Sequence, residues 1–170
     1  MNRVLVDINV VLDVLLAREP HAPSSTACVA VVESGKVEGF LSGHAVTTIA
    51  CLVGRARGAL EARKAVHDLC AIFAIAPVDE RVIRRAIALS LADFEDAVTA
   101  AAAEACGCTA ILTRDTAGFR ESPVLAQEPT LWLALLAERI QDSPADEVHE
   151  PRVGDPPPRR QRRRRAKREV

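Results

Sequence analysis

Three aspartates in separate parts of the chain stand where a strand or helix pattern begins or ends. Asp7 closes the apolar run RVLVD, Asp96 lies in the acidic stretch DFED, and Asp115 follows the apolar run TAILT by two residues. Carboxylate oxygens are the ligands that magnesium and manganese prefer. If the fold brings these segments together, the three side chains can hold a divalent cation.

The acidic stretch at 93–96 also has an explanation that needs no metal. Asp93 suits a helix N-cap, and Glu95 and Asp96 would then lie in the first turn, where the helix dipole stabilises each carboxylate by about 0.3–1 kcal/mol. This explanation is sufficient for Asp93 and leaves Glu95 undecided. It explains Asp96 less completely, because the helix that follows is mostly alanine and must pack closely against other parts of the protein.

Strand and helix patterns alternate along the chain up to residue 140. Apolar and β-branched runs predict strands at 3–7, 37–42, 72–78, 109–113 and 122–126. Helical spacing and caps predict helices at 8–18, 27–35, 44–58, 60–71, 79–91, 93–107 and 128–140, with Asn9 as the N-cap of the first. The alternation is typical of an α/β protein whose parallel sheet is covered on both faces. Ligands bind such sheets at the carboxyl ends of the strands, so we expect Asp7 and Asp115 to meet there.

Carboxylates that meet at one edge of a sheet repel each other. At a separation of ~5 Å and an effective dielectric of about 20, each pair costs about 3 kcal/mol. The three segments contain no lysine, and Arg114 follows an extended run in which neighbouring side chains point opposite ways. A divalent cation would resolve the repulsion. An acid-lined pocket without histidine or a glycine-rich phosphate loop therefore predicts metal-assisted phosphodiester hydrolysis.

Several motifs together resemble the PIN domain. They are VLVDINVVLDVLL, HAVTTIACLV, DFEDAVTAAAAEACGCTAILTRD and the phenylalanine after DTAG, and they span about residues 2–140. The resemblance is closest to the VapC-type toxins of bacterial toxin–antitoxin pairs, in the branch with a DFEDA motif. It implies a three-layer α/β/α sandwich with a central parallel sheet of four to five strands. It also implies a Mg²⁺- or Mn²⁺-dependent endoribonuclease, with an RNA substrate, an antitoxin partner and a homodimer.

The same resemblance assigns the site residues. It implies that Asp7, Asp96 and Asp115 are the catalytic, metal-binding acids and that Asn9 supports the first of them. Many PIN domains also carry a glutamate in the third helix, as the second residue of a Thr-Glu pair, where this chain has Thr48.

Thr48 can accept a hydrogen bond or hold a water molecule but supplies no charge. Either another acid replaces the missing one (Asp13, Asp93 or Glu95), or the site is weaker or inactive. Asp13 has an alternative interpretation as an exposed acid on the first helix. His44 is interpreted as a polar residue at a helix start.

Three functions remain open on the sequence. A metal-dependent ribonuclease is the leading hypothesis, and a catalytically weak or inactive PIN scaffold that binds RNA or protein is the alternative, because of Thr48. A small-molecule phosphatase of doubly wound fold ranks last, since it usually needs a second aspartate where Asn9 stands.

The pattern of strands and helices ends near residue 142. Residues 1–142 therefore form the predicted domain, and residues 143–170 are predicted to be a disordered tail rich in proline and arginine. Residues 1–150 carry 13 basic and 21 acidic residues, a balance of −8, and residues 151–170 carry 9 and 2, a balance of +7.

The basic residues of the tail have three interpretations. They can be a solvated segment, a sequence-independent RNA tether, or a segment attracted to the acidic domain. The tether would include Arg162, Arg163, Arg164 and Arg165. Within the domain, Arg18 and Arg114 are either RNA-phosphate contacts or ordinary surface arginines.

The sequence also predicts the compartment. It contains no apolar run of the ~20 residues that span a bilayer, and Asp7 and Asp13 interrupt the apolar N-terminus in a way that a signal peptide would not. The odd number of cysteines favours reduced thiols in a cytoplasmic protein, with Cys28, Cys51 and Cys70 as small core side chains.

Overall fold

Strands and helices alternate in the structure as the sequence pattern predicts. The computed structural model describes residues 2–142, so the tail predicted at 143–170, with Arg162 to Arg165, lies outside the described residues. Within the described part there are five strands, Arg3–Val6 (β1), Glu38–Ser42 (β2), Ala74–Ala76 (β3), Ala110–Leu112 (β4) and Ala126–Gln127 (β5). The same part has seven helices, Ile8–Leu15 (α1), Ala22–Glu33 (α2), Gly43–Arg57 (α3), Ala59–Ile72 (α4), Glu80–Ile87 (α5), Phe94–Ala105 (α6) and Pro129–Asp142 (α7).

The five strands form one parallel sheet in the order β3-β2-β1-β4-β5. The strands β2 and β3, which follow β1 in the chain, lie on one side of it in the sheet, and β4 and β5 lie on the other side. The strand order therefore reverses between β1 and β4, and the carboxyl ends of these two strands form the crevice where sheets of this kind bind ligands. The predicted α/β class and the strand number are confirmed.

Helices cover both faces of this sheet because its central strands are apolar on both sides. Val4 and Val6 of β1 pack into a core with residues of α1, α2, α3, α4 and α7, in which Trp132 is buried. Leu5, which points to the opposite face, packs with residues of α5 and α6. This arrangement is the predicted three-layer α/β/α sandwich.

Helix α6 lies close to the sheet because its buried side is made almost entirely of small residues. All seven residues from Ala97 to Ala103 are buried, five of them alanines, and the helix contacts β2 and β4. Alanine side chains permit a close approach of backbones, so the N-terminal end of α6, with Asp96, is fixed near the sheet.

Some local predictions were wrong. Helix α2 begins at Ala22 rather than at residue 27, because Pro23 suits the first helical turn. Asp7, rather than Asn9, is the N-cap of α1, and its side chain accepts a hydrogen bond from the Ile8 amide.

Two of the three cysteines predicted as core side chains are exposed. Cys28 is buried, but Cys51 and Cys70 are exposed. The buried stripe of α3 contains Ala45, Ile49 and Val53, at intervals of four residues, and Cys51 lies off this stripe. No helix described between residues 2 and 142 is both long and apolar enough to cross a membrane.

Candidate functional site

Asp7 is the most buried of the three acids expected to share a site, with a relative exposure of 6%. It directly follows β1, so its position is fixed by a central strand. Its Oδ1 accepts from the Ile8 amide at 2.7 Å, and its Oδ2 accepts from Asn9 Nδ2 at 2.6 Å and from Thr113 Oγ1 at 2.8 Å. Asn9 thus supports the first aspartate directly, in the arrangement that the resemblance implies.

The hydroxyl of Thr113 joins the ends of β1 and β4. This fully buried oxygen donates to Asp7 Oδ2 and accepts from Asn9 Nδ2 at 3.0 Å and from the Asp115 amide at 3.0 Å. Asn9 Oδ1 accepts from the Arg114 amide at 3.2 Å and completes the link. The positions of Asp7 and Asp115 are therefore set by one shared network.

Asp96 and Asp115 meet over Gly118. A methyl group added to Gly118 would lie 2.9 Å from Asp96 Oδ2 and 3.0 Å from Asp115 Oδ2, so both carboxylates face the space that a larger residue would fill. The Gly118 amide donates to Asp115 Oδ1 at 3.0 Å and holds that carboxylate in place. Asp96 and Asp115 thus share one space, and the Thr113 hydroxyl links Asp115 to Asp7.

The electrostatics of the site agree with this clustering. The pKa of Asp96 is raised to about 6 by burial and by the charges of Asp7, Asp93, Asp115 and Glu95. The pKa of Asp7 is also raised, chiefly by burial and further by Asp115, while the hydrogen bond from Thr113 opposes the shift. Uncompensated negative charge is what a site for a divalent cation needs before the ion binds.

These oxygen ligands fit a magnesium or manganese ion. Within residues 2–142 no three His, Cys, Asp or Glu side chains form a ready-made metal cage. Magnesium does not need one, because it keeps several waters and binds through one or two carboxylates together with phosphate oxygens of the substrate. Asp7, Asp96 and Asp115 are therefore the residues that would hold the ion.

The site borders the start of α3. Ser42 Oγ lies 2.7 Å from His44 Nδ1. Burial lowers the pKa of His44, and the Glu95 carboxylate opposes this effect, so Glu95 lies within electrostatic reach of the start of α3. Thr48, one turn along, donates its hydroxyl to the His44 carbonyl at 3.3 Å and supplies no charge, as expected.

Asp13 is a buried acid rather than an exposed one, with no accessible surface. Its Oδ2 accepts from Ser25 Oγ at 3.2 Å and lies 3.1 Å from Arg114 Nε. That separation makes an ion pair, but the N–H is not aimed at the oxygen well enough for a hydrogen bond, and Asp13 Oδ1 has no partner. Asp13 therefore pairs with Arg114 and is not a fourth member of the cluster of three acids.

The remaining candidates lie apart from the three acids or serve the local fold. Asp93 is the N-cap of α6, and its Oδ1 accepts from the amides of Glu95 at 2.7 Å and of Asp96 at 3.3 Å, as predicted. Arg18 is exposed and follows the C-terminal end of α1, whereas Asp7 is at the other end.

The three acids lie at a surface that is open to solvent at Asp115. A concavity of about 250 Å³ lies elsewhere, between α5 and α6, and its one acid, Glu104, is paired with Arg85 through bonds of 2.6 and 3.0 Å. Asp115 is exposed and Asp96 half-buried, which leaves room for a polymer to reach the carboxylates.

Two residues of the site were missed by the sequence analysis. Thr113 was assigned only as a strand residue, although a hydroxyl at the end of an apolar strand, two residues before an acid, was an available signal. Gly118 carried no signal, because its role depends on the approach of Asp96 from a distant helix.

Comparisons with known proteins agree on one fold. A family model described as a PIN domain matches residues 3–117. No curated protein sequence matches the chain. The FitAcB structure from Neisseria gonorrhoeae is similar, with 21% identity, a TM-score of 0.58 and coverage of 75% of this chain and 98% of that one.

Two further solved structures share the fold. The VapBC2 complex from Rickettsia felis, bound to a promoter DNA fragment, has 10% identity, a TM-score of 0.59 and coverage of 74% and 98%. VapC20 of Mycobacterium tuberculosis, described as a toxin that cleaves the sarcin–ricin loop, has 15% identity, a TM-score of 0.57 and coverage of 69% and 93%.

Proposed function

Because the chain belongs to the PIN domain family, as its motifs predicted, we propose that it is a divalent-metal-dependent endoribonuclease. The observation that carries the proposal is the meeting of three carboxylates from separate segments at the switch point of the sheet. Asp7 follows β1, Asp115 follows β4, and Asp96 opens α6. Such a cluster is unfavourable for stability and is explained by a bound cation.

Each acid has a distinct part in the proposed site. Asp7 is buried and held by three donors, so it is the fixed ligand; Asp96 and Asp115 are more exposed and complete the binding face toward the substrate. When bound, Mg²⁺ or Mn²⁺ supplies positive charge that stabilises the charge developing on the phosphate. The carboxylates orient a water for in-line attack through hydrogen bonds, and Asn9 and Thr113 keep Asp7 in position.

The biological role that we propose is the toxin of a toxin–antitoxin pair. The support is the resemblance of the motifs to VapC-type toxins and, among the similar structures, a toxin described as cleaving the sarcin–ricin loop. We therefore propose an antitoxin partner, an RNA substrate and a homodimer for this chain, in the cytoplasm. The domain division at residue 142, with a basic RNA tether after it, belongs to the same proposal.

The first test is metal addition to the purified chain. We expect Mn²⁺ or Mg²⁺ to start cleavage of single-stranded RNA and to raise the melting temperature by several degrees, because a ligand at 100 times its Kd stabilises by about 2.7 kcal/mol. EDTA should reverse both effects, and Asp7→Asn should remove both. Glu104→Gln, which removes an acid from the far end of the same helix as Asp96, is the matched control and should keep them. If neither metal produces a shift or cleavage, the proposal is wrong.

A second candidate function rests on Thr48. Its hydroxyl is used within α3 and adds no charge where many family members have a glutamate. The chain would then be an inactive scaffold that binds RNA or protein. We propose instead that Glu95, whose charge acts on both His44 and Asp96, supplies the missing negative charge.

Paired substitutions distinguish these two functions. We expect Glu95→Gln to lower the rate of RNA cleavage about tenfold, the scale for losing a supporting group at a metal site. Thr48→Glu should restore most of that rate in the Glu95→Gln protein, because it returns a carboxylate to the same region. A wild-type chain without activity that gains cleavage through Thr48→Glu would instead support the scaffold.

A further inference from the structure

Asp13 and Arg114 form an ion pair beside the proposed metal ligands, and the proposed metal site gives this pair no role. Asp13 has no accessible surface, and Arg114 Nε is buried 3.1 Å from its Oδ2. Besides this ion pair, the carboxylate has one neutral hydrogen bond, from Ser25 Oγ at 3.2 Å, and its Oδ1 has none. A charge in this setting is expensive to bury.

Stability does not account for the pair. Buried ion pairs recover their desolvation cost only when both partners are well hydrogen-bonded, and apolar replacements of similar volume are often equally stable or more so. Here both Asp13 Oδ1 and Arg114 Nε lack hydrogen bonds. A pair that is costly and poorly satisfied points to a role in positioning.

The surroundings of Arg114 indicate that its guanidinium is the group that Asp13 holds in place. The residue lies between Thr113 and Asp115, and its amide donates to Asn9 Oδ1, so its backbone belongs to the network of the site. Its charge lowers the pKa of Asp7, against the effect of burial, which places the guanidinium within electrostatic reach of the acids. Nε is buried against Asp13, yet 31% of the side chain remains exposed, so another part of it faces outward.

We propose that Asp13 holds the Arg114 guanidinium at the rim of the acid cluster, where its outward N–H groups bind an RNA phosphate. The inference rests on the proposed nuclease function and adds the residue that anchors the substrate. Without Asp13, the guanidinium would be drawn to Asp7, Asp96 and Asp115 and would compete with the metal ion for them.

Arginine suits this task because its planar group has five donors in a fixed fork. One side of the fork can face a carboxylate while the other binds phosphate. Lysine presents a single charged centre and cannot serve both directions in the same way. The acid cluster repels RNA, so a fixed cation beside it is needed to bring the backbone close.

RNA binding in EDTA tests the proposal without cleavage or metal. The measurement is fluorescence anisotropy of the full chain with a short, labelled, single-stranded RNA of mixed sequence over a series of salt concentrations. We expect the double variant D13N/R114Q, which removes both charges and leaves none buried alone, to bind about tenfold more weakly. The slope of log K against log salt should fall by about 0.7, the value for one phosphate contact on a single strand. Arg57→Gln, a loss of the same charge at the far end of α3, is the control for nonspecific attraction.

A metal titration of Asp13→Asn tests whether Asp13 prevents the Arg114 guanidinium from competing with the metal ion for the acids. We expect this variant to bind Mn²⁺ about tenfold more weakly than wild type, measured by thermal shift, because the freed guanidinium neutralises the carboxylates. Adding Arg114→Gln should restore Mn²⁺ binding but not RNA binding. Two such opposite responses do not arise if the pair is only a link between α1 and the end of β4.

The outcomes separate this inference from the proposed function. If D13N/R114Q keeps the wild-type salt slope while Mn²⁺-dependent cleavage is present in wild type, the nuclease stands and the phosphate anchor is wrong. If wild type shows no cleavage but the slope falls in D13N/R114Q and not in Arg57→Gln, the RNA contact stands and the nuclease proposal is wrong.

Discussion

Asp96→Asn is expected to abolish metal-dependent RNA cleavage, with a loss of about 10²–10³-fold, the scale for removing one preorganised electrostatic group from an active site. Asparagine has nearly the same shape, so the fold around Gly118 is kept while one charge is lost. The measurement is the rate of RNA cleavage in saturating Mn²⁺. The control is Asp93→Asn, three residues away, since asparagine is an equally good N-cap and the cap bonds to Glu95 and Asp96 survive. Equal losses in both variants would contradict the assignment of Asp96.

The same substitution should stabilise the metal-free protein at neutral pH. Burial and neighbouring acids raise the pKa of Asp96 from 3.8 to about 6, so the folded state binds its proton more tightly than the unfolded state does. Its contribution to stability is therefore complete below pH 3.8 and is lost as the pH rises through 6. Because the carboxylate is half-exposed, the full shift is discounted for solvent screening to about 1 kcal/mol.

Thermal unfolding in EDTA measures this effect. Between pH 5 and pH 7.5 the wild-type melting temperature should fall by a few degrees relative to that of Asp96→Asn, and added Mn²⁺ should reverse the order at pH 7.5. Identical pH profiles for the two proteins would show that the acids do not strain the metal-free site.

Thr113→Val is expected to impair both folding and cleavage, although valine has the same shape as threonine. It removes the donor to Asp7 Oδ2 and the acceptor for the Asn9 side chain and the Asp115 amide, all in a fully buried position. Leaving these groups without partners should cost about 1–3 kcal/mol in the free energy of unfolding, measured with urea. Cleavage should fall about 10–100-fold, the range for groups that orient metal ligands.

Thr113→Ser separates the hydroxyl from the methyl group. It keeps all three hydrogen bonds and loses one buried methyl, so it should cost about 1 kcal/mol of stability but keep most of the cleavage rate. If Thr113→Val cleaves as well as Thr113→Ser, Asp7 does not need this orientation and the proposed role of the network is wrong.

Much of the fold could be predicted from local signals. The alternation of apolar runs with helical spacing predicted the parallel sheet. The prediction of Asp93 as an N-cap was correct because capping depends on residues within one turn. Burial was predicted less well. Asp13 was left between an exposed acid and a site residue, and Cys51 and Cys70 were placed in the core, because exposure depends on which side of each helix the neighbouring helices cover.

The sequence by itself determined the fold class, the family and the acids worth testing. Strand ends, the DFEDA motif and the order of the elements can all be recognised from neighbouring residues along the chain. Only the tertiary structure decided how these acids are held. Thr113 bridges two strands, Gly118 leaves room for carboxylates from two segments, and Asp13 reaches Arg114 across about a hundred residues of chain. These contacts join residues far apart in the chain, and such pairings are set by packing across the sheet rather than by any local pattern.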